Sequence, residues 1–135
     1  MTSSTTTLAL DSDPAKLADL YPRLLALCSD DGLDDLAAFQ LTTVIIEAIN
    51  NSIEHGYNGE PGHTVSVCWH SDPNAVEIEI HDHGQPLPPE IIDQSVMPMP
   101  DAESGRGLAI IREWTDSASY DRIGDENVLK LKRRR

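Results

Sequence analysis

Two short runs between Pro61 and Asp82 alternate, and they restrict the fold more than any other part of the chain. Thr64 to His70 puts Val65, Val67 and Trp69 on one side; Ala75 to Asp82 does the same with Val76, Ile78 and Ile80. A period of two over such lengths belongs to β-strands with one face covered. Ser71-Asp-Pro-Asn joins the runs and Pro61-Gly62 precedes them, so they form a hairpin. A sheet with one apolar face needs a layer packed on it. Asp82 shares the parity of Ile78 and Ile80, so its carboxylate is directed toward that layer and requires a hydrogen-bonding partner there.

The covering layer is found upstream. Asp11-Ser-Asp-Pro supplies caps and a first-turn proline for a helix over Ala15 to Leu27, with Pro22 as a potential kink. Ser29 to Gly32 reads as a turn. Leu33 to about Glu54 is the longest helical pattern, burying Leu41, Ile45, Ala48, Ile49 and Ser52. Glu47, Asn51 and His55 recur every four residues on one stripe of it, with Glu54 beside them on the solvated side. Gly56, Asn58 and Gly59 end it.

Thr5 to Leu10 is expected to be an edge strand. Ala118 to Arg122 and Asn127 to Lys132 are expected to close the sheet around the turn Ile123-Gly-Asp-Glu, with Leu129 and Leu131 inward. Between them, residues 83–104 are Pro-rich and irregular, with one helical turn over Glu90 to Val96. Gly105 to Trp114 follows as a helix offering Leu108, Ile110, Ile111 and Trp114 for packing. The sum is one domain over residues 1–135. It is an α/β (α+β) two-layer sandwich with helices on one face of a mixed, mostly antiparallel sheet.

Charge narrows the partners. The formal net charge is −13, and five of the ten basic residues fall between Lys130 and Arg135. Residues 1–129 thus set five basic against 23 acidic side chains, a balance of −18. Such a surface repels nucleic acid and anionic membranes and suits a basic protein partner. The basic end reads as a solvated strand terminus. Cys28 and Cys68 lack metal-ligand spacing and read as buried free thiols. Met1 to Thr7 has no apolar core of a signal peptide, and no stretch reads as a membrane span. The expected compartment is the cytoplasm.

Three segments carry chemistry: Glu47 to His55, Asp82-His-Gly84, and Gly105-Arg-Gly107. Phosphoryl transfer needs charge neutralisation, a positioned nucleophile and a base. Asn51 can give Mg2+ one oxygen, leaving its other positions to phosphates and water. Glu47, one turn earlier, can take a hydroxyl proton. Asp82 can accept from an exocyclic amine, which selects adenine. Glycines at a helix start let backbone N–H groups approach phosphates. His81 and His83 flank Asp82 but find no third metal ligand at usable spacing.

These residues resemble the GHKL ATPases, the superfamily of gyrase, a heat-shock chaperone, histidine kinases and a mismatch-repair protein. Glu47-Ala-x-x-Asn51-x-x-x-His55-Gly-Tyr looks like the N box. Asp82-x-Gly84-x-Pro86 looks like the first glycine box, and Ser104-Gly-Arg-Gly107-Leu108 like the second. Within the superfamily the wording is most similar to the small bacterial anti-sigma-factor serine/threonine kinases, from about Leu8 to Lys132. The resemblance implies a Bergerat-type ATP-binding fold with Glu47 as catalytic base and Asn51 as Mg2+ ligand. It implies Asp82 on the adenine amine, Gly84 giving room to the ring, and Gly105, Arg106, Gly107 and Leu108 around the phosphates. Residues 87–104 would be a lid over ATP. The implied partners are an anti-anti-sigma (STAS-type) protein phosphorylated on serine and a sigma factor held inactive, with a homodimer as the family's assembly.

The sequence also departs from that pattern. Residues 83–104 hold Glu90, Asp93, Asp101 and Glu103 and no Lys or Arg. An acidic cover opposes a triphosphate, and Arg106 and Arg112 are the cations nearest to it in the sequence. Arg23 is the one arginine before the N box. This charge pattern keeps open an alternative, a nucleotide-binding module that switches partners with little phosphate transfer. A detached histidine-kinase catalytic domain fits less well, since its lid would be longer.

Overall fold

The computed structural model describes residues 4–86, 110–111 and 113–135. It begins with strand β1 (Ser4–Asp11), then a 3-10 turn at Pro14–Lys16 capped by Asp13, and helix α1 (Leu17–Asp30), which contains Pro22. Helix α2 (Asp35–Asn51) continues as a π-helical turn, Ser52–Gly56. Strands β2 (Thr64–Ser71) and β3 (Ala75–Asp82) form the expected hairpin; β4 (Ser117–Ile123) and β5 (Glu126–Arg134) form the closing one. Helix α2 starts two residues later than the pattern suggests. The Asp34 carboxylate accepts the Ala37 N–H at 2.7 Å, which holds Asp34 extended as the cap.

The sheet order is β1-β2-β3-β5-β4, and every pairing among the described residues is antiparallel. The expectation of a mixed sheet is corrected by this order. Antiparallel pairing of β3 with β5 and of β5 with β4 makes β3 and β4 run the same way, yet β5 lies between them and opposes both. β1 holds the edge position its sequence implies.

Inward parity follows the alternation. Val65, Val67 and Trp69 pair across with Asp82, Ile80 and Ile78, which in turn face Asn127, Leu129 and Leu131. On this face rest Leu20, Leu24 and Cys28 of α1, and Leu41, Ile45, Ala48 and Ile49 of α2, all buried. Each fully buried Leu or Ile contributes about 1.5–3 kcal/mol over its exposed state. Ile111 is buried with them, and Trp114 sets its ring 6.0 Å from Phe39 of α2.

Three further expectations are met only in part. The helical run Asp35–Gly56 is, by length and composition alone, long and apolar enough to cross a membrane. Its apolar stripe is instead the side on which the sheet packs. Arg134 and Arg135 are exposed, yet the Arg135 side chain is bound: its guanidinium donates to Asp31 O at 2.9 Å, Asp31 Oδ1 at 2.6 Å and Ser71 Oγ at 2.7 Å. It thereby satisfies a carbonyl left open where α1 ends. Of the two free thiols, Cys28 is buried and pushed up by that burial, whereas Cys68 is only partly covered because it faces the open side of the sheet.

Candidate functional site

The last inward row of the sheet runs Leu10, Val65, Asp82, Asn127 and Arg122. Apolar packing thus gives way to polar groups at one end of the sheet, opposite the end of α2. A cavity opens there, lined by Asn51, Ser52 and Gly56 from the helix, Asp82 and Gln85 from β3 and its exit, and Tyr120, Asn127 and Leu129 from the closing hairpin.

Asn51 is buried on its helix face and lines this cavity. Its amide has no hydrogen-bond partner among the described residues, so a carbonyl oxygen is free for an incoming ligand. The donor fits Mg2+, which accepts oxygen ligands and keeps several waters. Asp82 is 5 % exposed. Its Oδ1 accepts the Gly84 N–H at 2.9 Å and the Asn127 Nδ2–H at 2.7 Å, while Oδ2 accepts from no described residue. Two of the residues singled out in the sequence therefore meet at one cavity. Glu47 stands one turn before Asn51, half-buried, outside the lining and without an ion pair among the described residues. Arg23 is exposed on α1 and also lies outside the lining. Gly105, Arg106, Gly107, Leu108 and the segment 87–104 lie outside the described residues.

His55 lies in the π-helical turn and does not line the cavity. The Tyr57 N–H reaches Ser52 O at 3.2 Å, an i to i+5 bond that adds a residue to the last turn. Ser52 and Gly56 turn to the cavity, and His55 Nε2 is enclosed without a partner among the described residues. The π-turn also brings Gly56 against the β3 exit, where its carbonyl accepts the Gln85 N–H at 2.8 Å. Tyr57 fastens the same junction: its hydroxyl donates to Thr64 O and accepts the His83 N–H, both at 2.8 Å.

Gly84 has a steric task other than room for a ring. A Cβ there would lie 2.3 Å from Gly56 O and 2.6 Å from Gly56 Cα, both backbone atoms. Gly84→Ala is accordingly expected to destabilise the fold by about 1–3 kcal/mol, measured by urea denaturation. A variant as stable as the parent would show that the two backbones separate freely.

Asn127, Tyr120 and Arg122 were not among the sequence candidates. A signal existed for Asn127: it has the inward parity of Leu129 and Leu131, as Asp82 has that of Ile78 and Ile80. His81 is engaged by Glu79 at 2.9 Å and Glu126 at 3.2 Å, on the opposite face of the sheet.

The chain is thus a two-layer sandwich with a buried carboxylate and an unpartnered helix amide at one cavity. Residues 10–133 match the Histidine kinase-like ATPase domain family, and the chain belongs to it. Membership implies nucleotide binding. An anti-sigma F factor from Oceanobacillus iheyensis is 37% identical over 93 residues, covering 65% of this chain and 61% of that protein. One from Anoxybacillus flavithermus is 29% identical over 108 residues, covering 76% and 71%. The alignments thus span about three-fifths to seven-tenths of the relatives' length. In fold, the chain is similar to the crystal structure of the RsbU and RsbW domains of Rv1364c from Mycobacterium tuberculosis. The TM-score is 0.66 at 19% identity, over 97% of this chain and 32% of that one.

Proposed function

We propose that this chain is an ATP-dependent serine/threonine protein kinase acting as an anti-sigma factor. It phosphorylates a serine of an anti-anti-sigma (STAS-type) partner and sequesters a sigma factor. The observation that carries the reading is the convergence of the unpartnered Asn51 amide and the half-satisfied Asp82 carboxylate on one cavity. The name shared by the aligned relatives, anti-sigma F factor, favours this class of partner.

In this reading Asp82 Oδ2 accepts an N–H of the adenine amine, and Asn51 holds Mg2+. The metal, when bound, offsets charge on the phosphates. Gly105, Arg106, Gly107 and Leu108 are the residues that the family resemblance assigns to the phosphates. The serine hydroxyl attacks the γ-phosphorus, its proton passes to Glu47, and ADP leaves. The whole of residues 1–135 serves as one ATPase domain, working in the cytoplasm and as a homodimer. The acidic surface suits partners with basic faces.

Calorimetric titration with ATP and ADP, with and without Mg2+, tests the site. Micromolar adenine-specific binding strengthened by Mg2+ is expected. Absence of binding would overturn the reading. Transfer of labelled γ-phosphate to a serine of a STAS-type partner tests the kinase activity in turn.

A further inference from the structure

Asn127 is 3 % exposed, and its amide is held on both sides. Nδ2 donates to Asp82 Oδ1 at 2.7 Å, to Gln85 O at 3.0 Å and to Gly84 O at 3.2 Å. Oδ1 accepts from the Tyr120 hydroxyl at 2.6 Å and from the Arg122 guanidinium at 2.8 Å. Acceptors crowd one end of the amide and donors the other, so its orientation is dictated by its neighbours. Arg122 also reaches Gly84 O at 2.8 Å, which ties the β4 edge to the same loop.

The consequence falls on Asp82. With the Gly84 N–H and Asn127 both on Oδ1, that oxygen has spent its two lone pairs, and Oδ2 of this cavity-lining residue is left without a partner among the described residues. We propose that Asn127 is a specificity-determining residue: by saturating Asp82 Oδ1 it leaves one acceptor for the base and so selects adenine over guanine. The inference rests on the nucleotide site proposed above.

The chemistry is a matter of counting donors. Guanine presents N1–H and an N2–H side by side, matching a carboxylate with two free oxygens. Adenine presents one amine beside the acceptor N1, and needs one oxygen. A carboxylate clamped at Oδ1 satisfies adenine and leaves a guanine donor desolvated and unpaired. Rejection through an unpaired buried polar group is stronger than rejection by shape.

The test is titration of the parent, Asn127→Ala and Asn127→Ser with ATP and with GTP at one Mg2+ concentration. Loss of support for Gly84 and Gln85 weakens both nucleotides alike, so the ratio of the two Kd values is the readout. The parent should favour ATP, and in Asn127→Ala that preference should fall roughly tenfold or more. Should the alanine variant fail to fold, the serine variant carries the test, its hydroxyl being one bond shorter than the amide nitrogen. An unchanged ratio in a folded variant overturns the inference while the nucleotide site stands. A parent that binds neither nucleotide overturns the site itself, and this inference with it.

Discussion

Asp82→Asn is expected to raise the Kd for ATP by about 100-fold or more while leaving the protein folded. The reason lies in which oxygen is already used. The substituted side chain keeps one oxygen, and the Gly84 N–H and Asn127 Nδ2–H both demand an acceptor at the Oδ1 position. That demand turns the new NH2 group to the Oδ2 position. A donor there confronts the adenine amine, another donor. The fold keeps its hydrogen bonds, so far-UV circular dichroism should match the parent. Calorimetric titration with ATP and Mg2+ reads the loss. Unchanged affinity in a folded variant would remove Asp82 from base recognition.

Asp82 was also the most legible part of the site. Its parity with Ile78 and Ile80 placed a carboxylate on a covered face, and the structure buries it there. The hairpin over Thr64–Ser71 and Ala75–Asp82 was equally plain, since alternation reports burial directly. Strand order was not legible, because alternation says which face a residue takes and nothing about its neighbour. Insertion of β5 between β3 and β4 follows from pairing between residues as far apart as Ala75 and Arg134, and no nearer than Asp82 and Asn127. The π-turn was hidden for a related reason: Glu47, Asn51 and His55 keep four-residue spacing whichever bond closes the last turn. Gly84 was recognised as a glycine position, but the atom that requires it, Gly56 O, belongs to a distant element. Asn127 carried the parity signal that exposed Asp82, without a motif to draw attention to it.

Glu47→Gln should separate binding from transfer. Glu47 sits one turn before Asn51 on a rigid helix, half-buried, with no hydrogen bond or ion pair to a described residue. A carboxylate so placed contributes little to the fold, and replacing it with an amide of the same shape removes no packing. Affinity for ATP should be retained or rise by about twofold, because one negative charge near the phosphates is lost. Transfer of γ-phosphate to a partner serine should fall roughly 10²–10⁴-fold, the contribution of a positioned general base. Single-turnover transfer from labelled ATP reads the second quantity and calorimetry the first. Joint loss of binding and transfer would make Glu47 structural. Transfer at the parent rate would mean that the serine proton leaves without help from this residue, as a loose metaphosphate-like transition state allows. Catalysis would then rest on positioning and phosphate neutralisation, the two tasks made hardest by an acidic segment over residues 83–104.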